Sequence, residues 1–241
     1  MTVLVTGAAG KVGRLLLPSL RERYEVRGVD RPDGDLTDPS VALALCRDVS
    51  AVVHLAGNPY PGARWPDLRD SADMVANVLA AAVANDVPQV VLASSGHAMG
   101  GYVDIGRLPV RPQWPAYACC GYGAQKVLAE SLGRVYHDQY GLSVVCLRLG
   151  GVREEPLATT WLPNWLSPGD LGRVVTAALT ADVGYAACAA VSANTGGWWD
   201  LTNEIGYEPV DDSAPWTDRV RDDTPPPGGP ARPRWGLLHR S

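Results

Sequence analysis

Short apolar stretches alternate with longer amphipathic ones through the first 150 residues of the chain. The apolar stretches are TVLVT at 2–6, YEVRGV at 24–29, AVVHL at 51–55, QVVLAS at 89–94 and LSVVCLRL at 142–149. Between them lie segments with helical spacing, such as KVGRLLLPSLRER and DLRDSADMVANVLAAAVAND. Continuous apolar strands separated by helices predict a parallel sheet covered on both faces, which is an α/β fold of the Rossmann-type, doubly wound class.

The alternation weakens after residue 150, which divides the chain into three regions. Residues 1–150 form the predicted sheet core, and residues 151–210 form a small C-terminal region. This second region contains a helix opened by Pro168 and a further strand candidate, VGYAACAAVSA. Residues 211–241 are rich in Pro, Asp and Arg and cannot build a core, so we expect a loosely ordered tail there.

Composition excludes several classes of partner. The 241 residues are 46% apolar and 20% charged, as in ordinary soluble globular proteins. A net charge of −5 offers no basic surface for nucleic acid or an anionic membrane. The opening MTVLVTG is strand-like and leaves no room for a signal peptide, so we expect a cytoplasmic protein without a membrane partner.

The five cysteines are odd in number and lack metal-ligand spacing, which predicts that the chain holds no metal. The adjacent pair Cys119 and Cys120 could be reactive, but reduced thiols in or near the core are the interpretation that we favour.

The first strand runs into the glycine-rich segment TGAAGKVGR. Gly7, Gly10 and Gly13 allow a sharp turn and a close approach of the backbone to a ligand, and Lys11 and Val12 open the helix that follows. A strand, a glycine turn and a helix N-terminus direct N–H groups and the helix dipole at a pyrophosphate. We therefore predict a dinucleotide site here.

The end of the second strand bears on the choice of dinucleotide. A carboxylate at the position of Asp30 accepts hydrogen bonds from the adenosine ribose hydroxyls and repels a 2′-phosphate, which favours NAD. Arg31 follows directly and could hold that phosphate instead, so NADP stays open.

Two further segments complete the predicted cofactor site. GDLTD places Asp35 and Leu36 where a third strand region could meet the adenine. The next strand ends in Leu55, Ala56 and Gly57, where the small residues leave space for the dinucleotide.

Polar side chains follow the fourth strand. Ser95 and His97 lie at its carboxyl end, where an open α/β sheet places its ligands. Tyr122 and Lys126 are four residues apart in a helical segment and therefore share one helix face. Ser95, Tyr122 and Lys126 are our candidate catalytic residues. His97 is open between a hydrogen bond to substrate and a structural role.

These motifs resemble those of the extended short-chain dehydrogenases/reductases, closest to the uronate dehydrogenase branch. The shared stretches are VTGAAGKVGR, VVHLAG, VLASSGHAMG, YGAQK, LRLG and SANTGGWWD, over roughly residues 1–210. The resemblance implies a Rossmann core that binds NAD, with residues 151–210 binding substrate. It implies that Tyr122 takes the substrate proton with its pKa lowered by Lys126 and the nicotinamide, that Ser95 binds the same oxygen, and that Lys126 holds the ribose.

The substrate positions depart from the branch. Gly96 replaces an Asn, Gly151 replaces a Ser, and Thr160 aligns with the Arg that binds the substrate carboxylate. Arg153 is the nearest substitute cation. We therefore expect a sugar-like or polyhydroxylated small-molecule substrate other than a simple uronate.

Three alternatives stay open: a genuine uronate dehydrogenase, an epimerase, dehydratase or decarboxylase that uses NAD transiently, and a cofactor-binding regulator without turnover. Intact Ser95, Tyr122 and Lys126 argue against the regulator. The resemblance also implies a homodimer that packs the helices near 67–84 and 118–139.

Overall fold

The computed structural model describes residues 1–221 and contains one six-stranded, fully parallel sheet in the order β2-β1-β3-β4-β5-β8. Its strands are β1 (Thr2–Thr6), β2 (Glu25–Val29), β3 (Ala51–His54), β4 (Gln89–Ser95), β5 (Ser143–Leu149) and β8 (Tyr185–Ala190). The two-residue strands β6 (Gly151–Val152) and β7 (Trp165–Leu166) pair separately.

Helices cover both faces of this sheet, which confirms the predicted fold class. They are α1 (Lys11–Arg21), α2 (Pro39–Leu45), α3 (Trp65–Ala84), α4 (Gly100–Asp104), α5 (Gly121–Tyr140) and α6 (Pro168–Thr180). Successive side chains of a strand point to opposite faces. Accordingly, Val3 and Val5 of β1 join the core under α1 and α6, whereas Leu4 joins the core under α2, α3 and α5. Within residues 1–221, none of the helices has the length and apolarity that crossing a bilayer requires.

The strand order reverses beside β1, and this reversal locates the ligand crevice. The chain moves from β1 outward to β2 and then returns to β3 on the other side of β1. The helical connections on the two sides of β1 lie on opposite faces of the sheet. A crevice therefore opens between them at the carboxyl ends of the strands. The predicted glycine turn, Ser95 and the Tyr122 helix all lie at this edge.

Residues 35 and 36 and the start of the tail differ from the sequence predictions. Residues 35 and 36 lie in a turn rather than in a third strand region, because the chain passes from a short 3₁₀ turn at 31–33 directly into α2. The region 151–210 joins the core, since β8 pairs with β5 and α6 packs on α1.

The tail is better attached at its start than predicted. Asp211 accepts a hydrogen bond of 2.6 Å from Arg173, and Asp212 accepts bonds of 2.8 and 2.6 Å from the backbone and side chain of Thr195. Polar contacts therefore anchor a segment that has too few apolar residues for a core. The remainder of the predicted tail, 222–241, lies outside the described residues.

A buried ion pair joins α5 to the sheet below the crevice. Glu130 of α5 contacts Arg148 of β5 through two hydrogen bonds of 2.9 and 3.0 Å, and both side chains are only 7% exposed. The same carboxylate accepts a 2.5 Å hydrogen bond from Ser94 of β4. Because Ser94 precedes Ser95 and Glu130 is one turn after Lys126, this pair fixes the helix to the strands that carry the site.

We predict that Glu130→Gln lowers the free energy of unfolding by about 3–5 kcal/mol, because it leaves the Arg148 charge buried without its partner. Asp138→Asn is the matched control on the same helix. It breaks the exposed Arg134–Asp138 pair, which solvent and salt screen, so a much smaller loss is expected. Urea unfolding of the two variants measures both values, and equal losses would contradict a structural role for the buried pair.

Candidate active site

The glycine turn is closed by contacts between backbone segments. Gly7 has a left-handed φ of 69°, and a Cβ there would lie 2.8 Å from the nitrogen of Ala56 at the end of β3. A Cβ on Gly13 would lie 2.5 Å from the carbonyl oxygen of Gly7. The cap residue Gly10 has no side chain to bond the first-turn N–H groups of α1. These groups are therefore available to an anion, as a dinucleotide pyrophosphate requires.

Asp30 is held beside this turn by its own hydrogen bonds. Its carboxylate accepts bonds of 2.8 Å from the N–H of Ala9 and 2.9 Å from the N–H of Arg31. The N–H of Asp30 donates in turn to the carboxylate of Asp33 at 2.8 Å. The charge therefore lies between the glycine turn and the end of β2, which is the place where a ribose acceptor is needed.

One cleft of about 2040 Å³ contains the rest of the predicted cofactor site, and this volume exceeds that of a typical single-ligand pocket. The predicted cofactor residues that line it are Gly7, Gly10, Lys11, Val12, Gly13, Asp30, Arg31, Asp35, Leu36, Leu55, Ala56, Gly57, Tyr122 and Lys126. Burial lowers the pKa of Lys11 to about 8, and the Arg153 charge adds to this effect. The bare glycine turn, the carboxylate and the depth of the cleft all fit a dinucleotide.

Ser95, Tyr122 and Lys126 meet in the same cleft. Ser95 ends β4, and Tyr122 lies in the first turn of α5, where Ser95 is close enough to act on the pKa of the phenol. Lys126 is one turn further along, with its Nζ 5.5 Å from the Tyr122 ring centroid. This ammonium donates a 2.8 Å hydrogen bond to the carbonyl of Ala93. The structure thus brings together the three candidate catalytic side chains.

The electrostatics of this group differ from one expectation. Burial raises the pKa of Tyr122, and the nearby Ser95 side chain acts in the opposite direction. Burial also lowers the pKa of Lys126 to about 8, which Glu130 opposes. Desolvation of the phenol therefore dominates in the chain itself, and the lowering of the Tyr122 pKa by Lys126 and the nicotinamide together stays a prediction.

His97 has neighbours that the sequence did not indicate. Its ring lies edge-on to Tyr122, with centroids 5.5 Å apart. Its Nδ1 is 3.3 Å from the sulfur of Cys119 and 3.4 Å from that of Cys120. The hydrogen bond with Cys119 and the charge of His97 both contribute to a lowered pKa for the Cys120 thiol, whereas the pKa of Cys119 is raised.

The predicted substrate residues are divided between the cleft wall and the core. Ser95, His97, Gly151, Arg153 and Thr160 line the cleft. Gly96 is buried and begins a short turn in which its carbonyl accepts a 2.9 Å bond from Met99, so it is not part of the wall.

Gly151 makes room for a tryptophan. A Cβ at this position would lie 2.5 Å from the ring of Trp161, and Trp161 itself lines the cleft. The guanidinium of Arg153 lies 5.4 Å from the centroid of the same ring. An indole thus occupies the space that a serine side chain would need.

Four cleft residues come from the segment that was predicted to be a loose tail: Trp216, Arg219, Val220 and Arg221. Arg219 and Arg221 line the cleft, and Arg221 is placed there by a parallel bridge with Ala158. No sequence motif marks these arginines, since their position depends on the path of the chain after β8. By contrast, Trp199 is buried in the core and donates a 2.6 Å bond to Asn164.

Comparison with known proteins shows the family to which this chain belongs. A sequence model of the NAD dependent epimerase/dehydratase family matches residues 3–153. The chain belongs to this family. The resemblance to extended short-chain dehydrogenases/reductases is thereby confirmed.

Two curated relatives and one solved structure illustrate the likeness. The NAD-dependent glucose-6-phosphate dehydrogenase of Haloferax volcanii is 32% identical over 89% of this chain and 95% of its own length. The L-arabinose 1-dehydrogenase (NAD(P)(+)) of the same organism is 32% identical over 88% and 97%. The structure of a mutant uronate dehydrogenase from Agrobacterium tumefaciens complexed with NAD matches with a TM-score of 0.82 and 28% identity, over 94% and 92%.

We predict that the unmodified protein binds NAD more tightly than NADP and that Asp30→Asn reduces this preference about tenfold. Asparagine keeps the shape of the side chain and one acceptor oxygen, but it loses the charge that repels a 2′-phosphate. Titration of both cofactors measures the ratio, with Asp33→Asn as the control for the neighbouring carboxylate. Tighter binding of NADP by the unmodified protein would contradict this prediction and would mean that Arg31 determines the choice of cofactor.

Proposed function

We propose that the protein is an NAD-dependent oxidoreductase that transfers hydride between the nicotinamide and a hydroxyl or carbonyl carbon of a sugar or sugar acid. One observation carries the proposal: Ser95, Tyr122 and Lys126 share one cleft with the glycine turn and Asp30. Bound NAD supplies the hydride acceptor. The side chains of this chain must then orient the substrate oxygen and move its proton.

In this proposal Tyr122 is the proton acceptor. Ser95 is close enough to lower the pKa of Tyr122, so a single substrate oxygen can contact both hydroxyl groups. Because burial raises the pKa of Tyr122, a nearby positive charge is needed to favour the phenolate. Lys126 is the nearest ammonium, and its bond to Ala93 keeps it beneath the Tyr122 ring.

We predict that Tyr122→Phe lowers turnover by about 100-fold to 10,000-fold, the range of a lost general base, while NAD affinity stays within a few fold. The phenol is needed for proton transfer, and the other predicted cofactor residues stay in place without it. Tyr140→Phe, which removes a hydroxyl from an exposed ring at the far end of α5, is the matched control. Near-normal rates in the Tyr122 variant would remove this residue from the mechanism.

The relatives bear on the reaction type. The glucose-6-phosphate, L-arabinose and uronate enzymes are all dehydrogenases by name. They support net oxidation or reduction of the substrate. Epimerisation is therefore not the reaction that we favour for the Tyr122–Lys126 pair. Their three substrates differ in charge at similar sequence identity, so the substrate must be argued from the cleft itself.

The cleft wall supports a substrate other than a simple uronate. At the position of the carboxylate-binding arginine, Thr160 offers no charge, and Trp161 fills the space beside Gly151. Positive charge comes instead from Arg153, Arg219 and Arg221, which line the same cleft. A fixed cation discriminates a carboxylate only where its geometry matches.

We predict that glucuronate and galacturonate support turnover at least about 100-fold below that of the best substrate in a panel of neutral sugars, uronates and sugar phosphates. NADH formation at fixed NAD measures each rate. Turnover of neutral sugars would indicate a cleft that needs no charge on the substrate. Turnover of sugar phosphates would indicate a cleft in which Arg153, Arg219 and Arg221 bind an anion. Robust NADH production from either uronate would restore the plain uronate dehydrogenase assignment.

We also propose a cytoplasmic homodimer. All five cysteines lie within the described residues and are free, as expected in a reducing compartment.

Helices α3 and α5 pack side by side, and Leu128 and Val135, seven residues apart on α5, are 38% and 43% exposed. This apolar stripe suits a four-helix interface. Light scattering at micromolar concentration tests it, and a monomer would contradict it.

A further inference from the structure

Three potential metal ligands meet at one side of the cleft, although they come from two separate segments of the chain. His97 follows β4, whereas Cys119 and Cys120 immediately precede α5. The His97 Nδ1 lies 3.3 and 3.4 Å from the two sulfurs, and the sulfurs are 4.0 Å apart. All three ligand atoms lie within 4.8 Å of one another.

These separations match the edges of a tetrahedral site. With Zn–S bonds of about 2.3 Å and Zn–N bonds of about 2.0–2.1 Å, tetrahedral angles give S···S edges of about 3.8 Å and S···N edges of about 3.6 Å. The observed triangle differs from this one by no more than about 0.3 Å per edge. Small side-chain rotations are therefore enough to bring all three atoms onto one ion.

The backbone holds the triangle in place. The carbonyl of His97 accepts a 3.2 Å bond from the N–H of Cys119. The N–H of Gly123 donates to the Cys120 sulfur at 3.4 Å, which fixes that sulfur at the N-terminus of α5. A Cβ on Gly123 would lie 2.3 Å from the His97 carbonyl oxygen, so the absence of a side chain allows the two segments to approach. A preformed set of donors reduces the ordering cost of binding.

The triangle is accessible and suitably charged. His97, Cys119 and Cys120 are all partly exposed and line the cleft, so an ion can enter and its remaining coordination position can be reached from the cleft. The Asp104 carboxylate interacts electrostatically with Cys119 and adds negative charge. Two thiolates and one imidazole form a donor set that prefers Zn²⁺ and other thiophilic divalent cations over Mg²⁺ or Ca²⁺.

We propose that His97, Cys119 and Cys120 form a binding site for a thiophilic divalent cation of the Zn²⁺ class, with an open coordination position beside Ser95 and Tyr122. Binding replaces the thiol protons with the metal and so releases them to solvent. Because two thiolates balance the two charges of the ion, binding leaves the net charge beside the phenol of Tyr122 unchanged. The site depends on residues outside the proposed proton-transfer group and is independent of which sugar the protein uses.

Cadmium is the probe, because Cd²⁺–thiolate bonds give an ultraviolet charge-transfer absorbance that reports the ligands directly. Fully reduced protein without a polyhistidine tag is titrated with Cd²⁺, and bound Cd²⁺ is then displaced by Zn²⁺. We expect one Cd²⁺ per chain with the absorbance of two thiolates. Cys119→Ser and Cys120→Ser should each halve the absorbance per bound ion and weaken binding by about 100-fold or more.

Cys46→Ala and Cys188→Ala are the matched controls, since both thiols are buried and neither lines the cleft. Each control should bind Cd²⁺ like the unmodified chain, and circular dichroism of every variant verifies that it is folded. The double variant Cys119→Ser/Cys120→Ser should lose the absorbance altogether. An unmodified chain without Cd²⁺–thiolate absorbance, or a signal that persists in the double variant, would overturn the proposal. Because no step measures turnover, these outcomes are separate from the fate of the proposed oxidoreductase activity.

Discussion

The carboxylate of Glu130 is the group on which the arrangement of the site depends. It binds Arg148 of β5 and Ser94 of β4 at once, and it projects from the helix that carries Tyr122 and Lys126. Three elements are thereby held in one register. Since Ser94 precedes Ser95, the same contact determines how far the Tyr122 phenol lies from the strand end. A buried carboxylate is tolerated here because its oxygens are bonded by a guanidinium and a hydroxyl.

Burial also sets the chemistry of the cleft. Desolvation lowers the pKa of Lys126 to about 8 and raises that of Tyr122, so both groups shift toward their neutral forms. A polar, partly desolvated site of this kind responds strongly to any charge that enters it. A cationic nicotinamide is such a charge, and it would favour the phenolate.

The two halves of the cleft differ in how closely they follow the family. The cofactor half has the glycine turn, Asp30 and the small residues after β3 in the expected places. The half with the proposed substrate residues differs from the family pattern: Trp161 occupies the space beside Gly151, and Arg219 and Arg221 enter from a segment beyond the sheet. Close contact with a dinucleotide backbone limits variation in the first half, whereas wall residues on loops can change without disturbing the core.

Local pattern determined much of this protein from its sequence alone. Strand and helix periodicity gave the parallel sheet, because side-chain burial on two faces leaves a direct signature in the order of residues. The glycine turn, Asp30, Ser95 and the Tyr122–Lys126 spacing were readable for the same reason, since each lies at a fixed offset from a strand or helix end. Their common cleft followed from the carboxyl edge of a parallel sheet.

Tertiary structure alone decided the features that join distant segments. Glu130 and Arg148 are ordinary charged residues until the packing of α5 on the sheet buries them together. His97 meets Cys119 and Cys120 only because Gly123 lets the two backbones approach, and adjacent cysteines carry no metal-ligand spacing in sequence. Arg221 reaches the cleft through a bridge to Ala158. Such contacts depend on the path of the whole chain, and a one-dimensional pattern encodes only neighbours within an element.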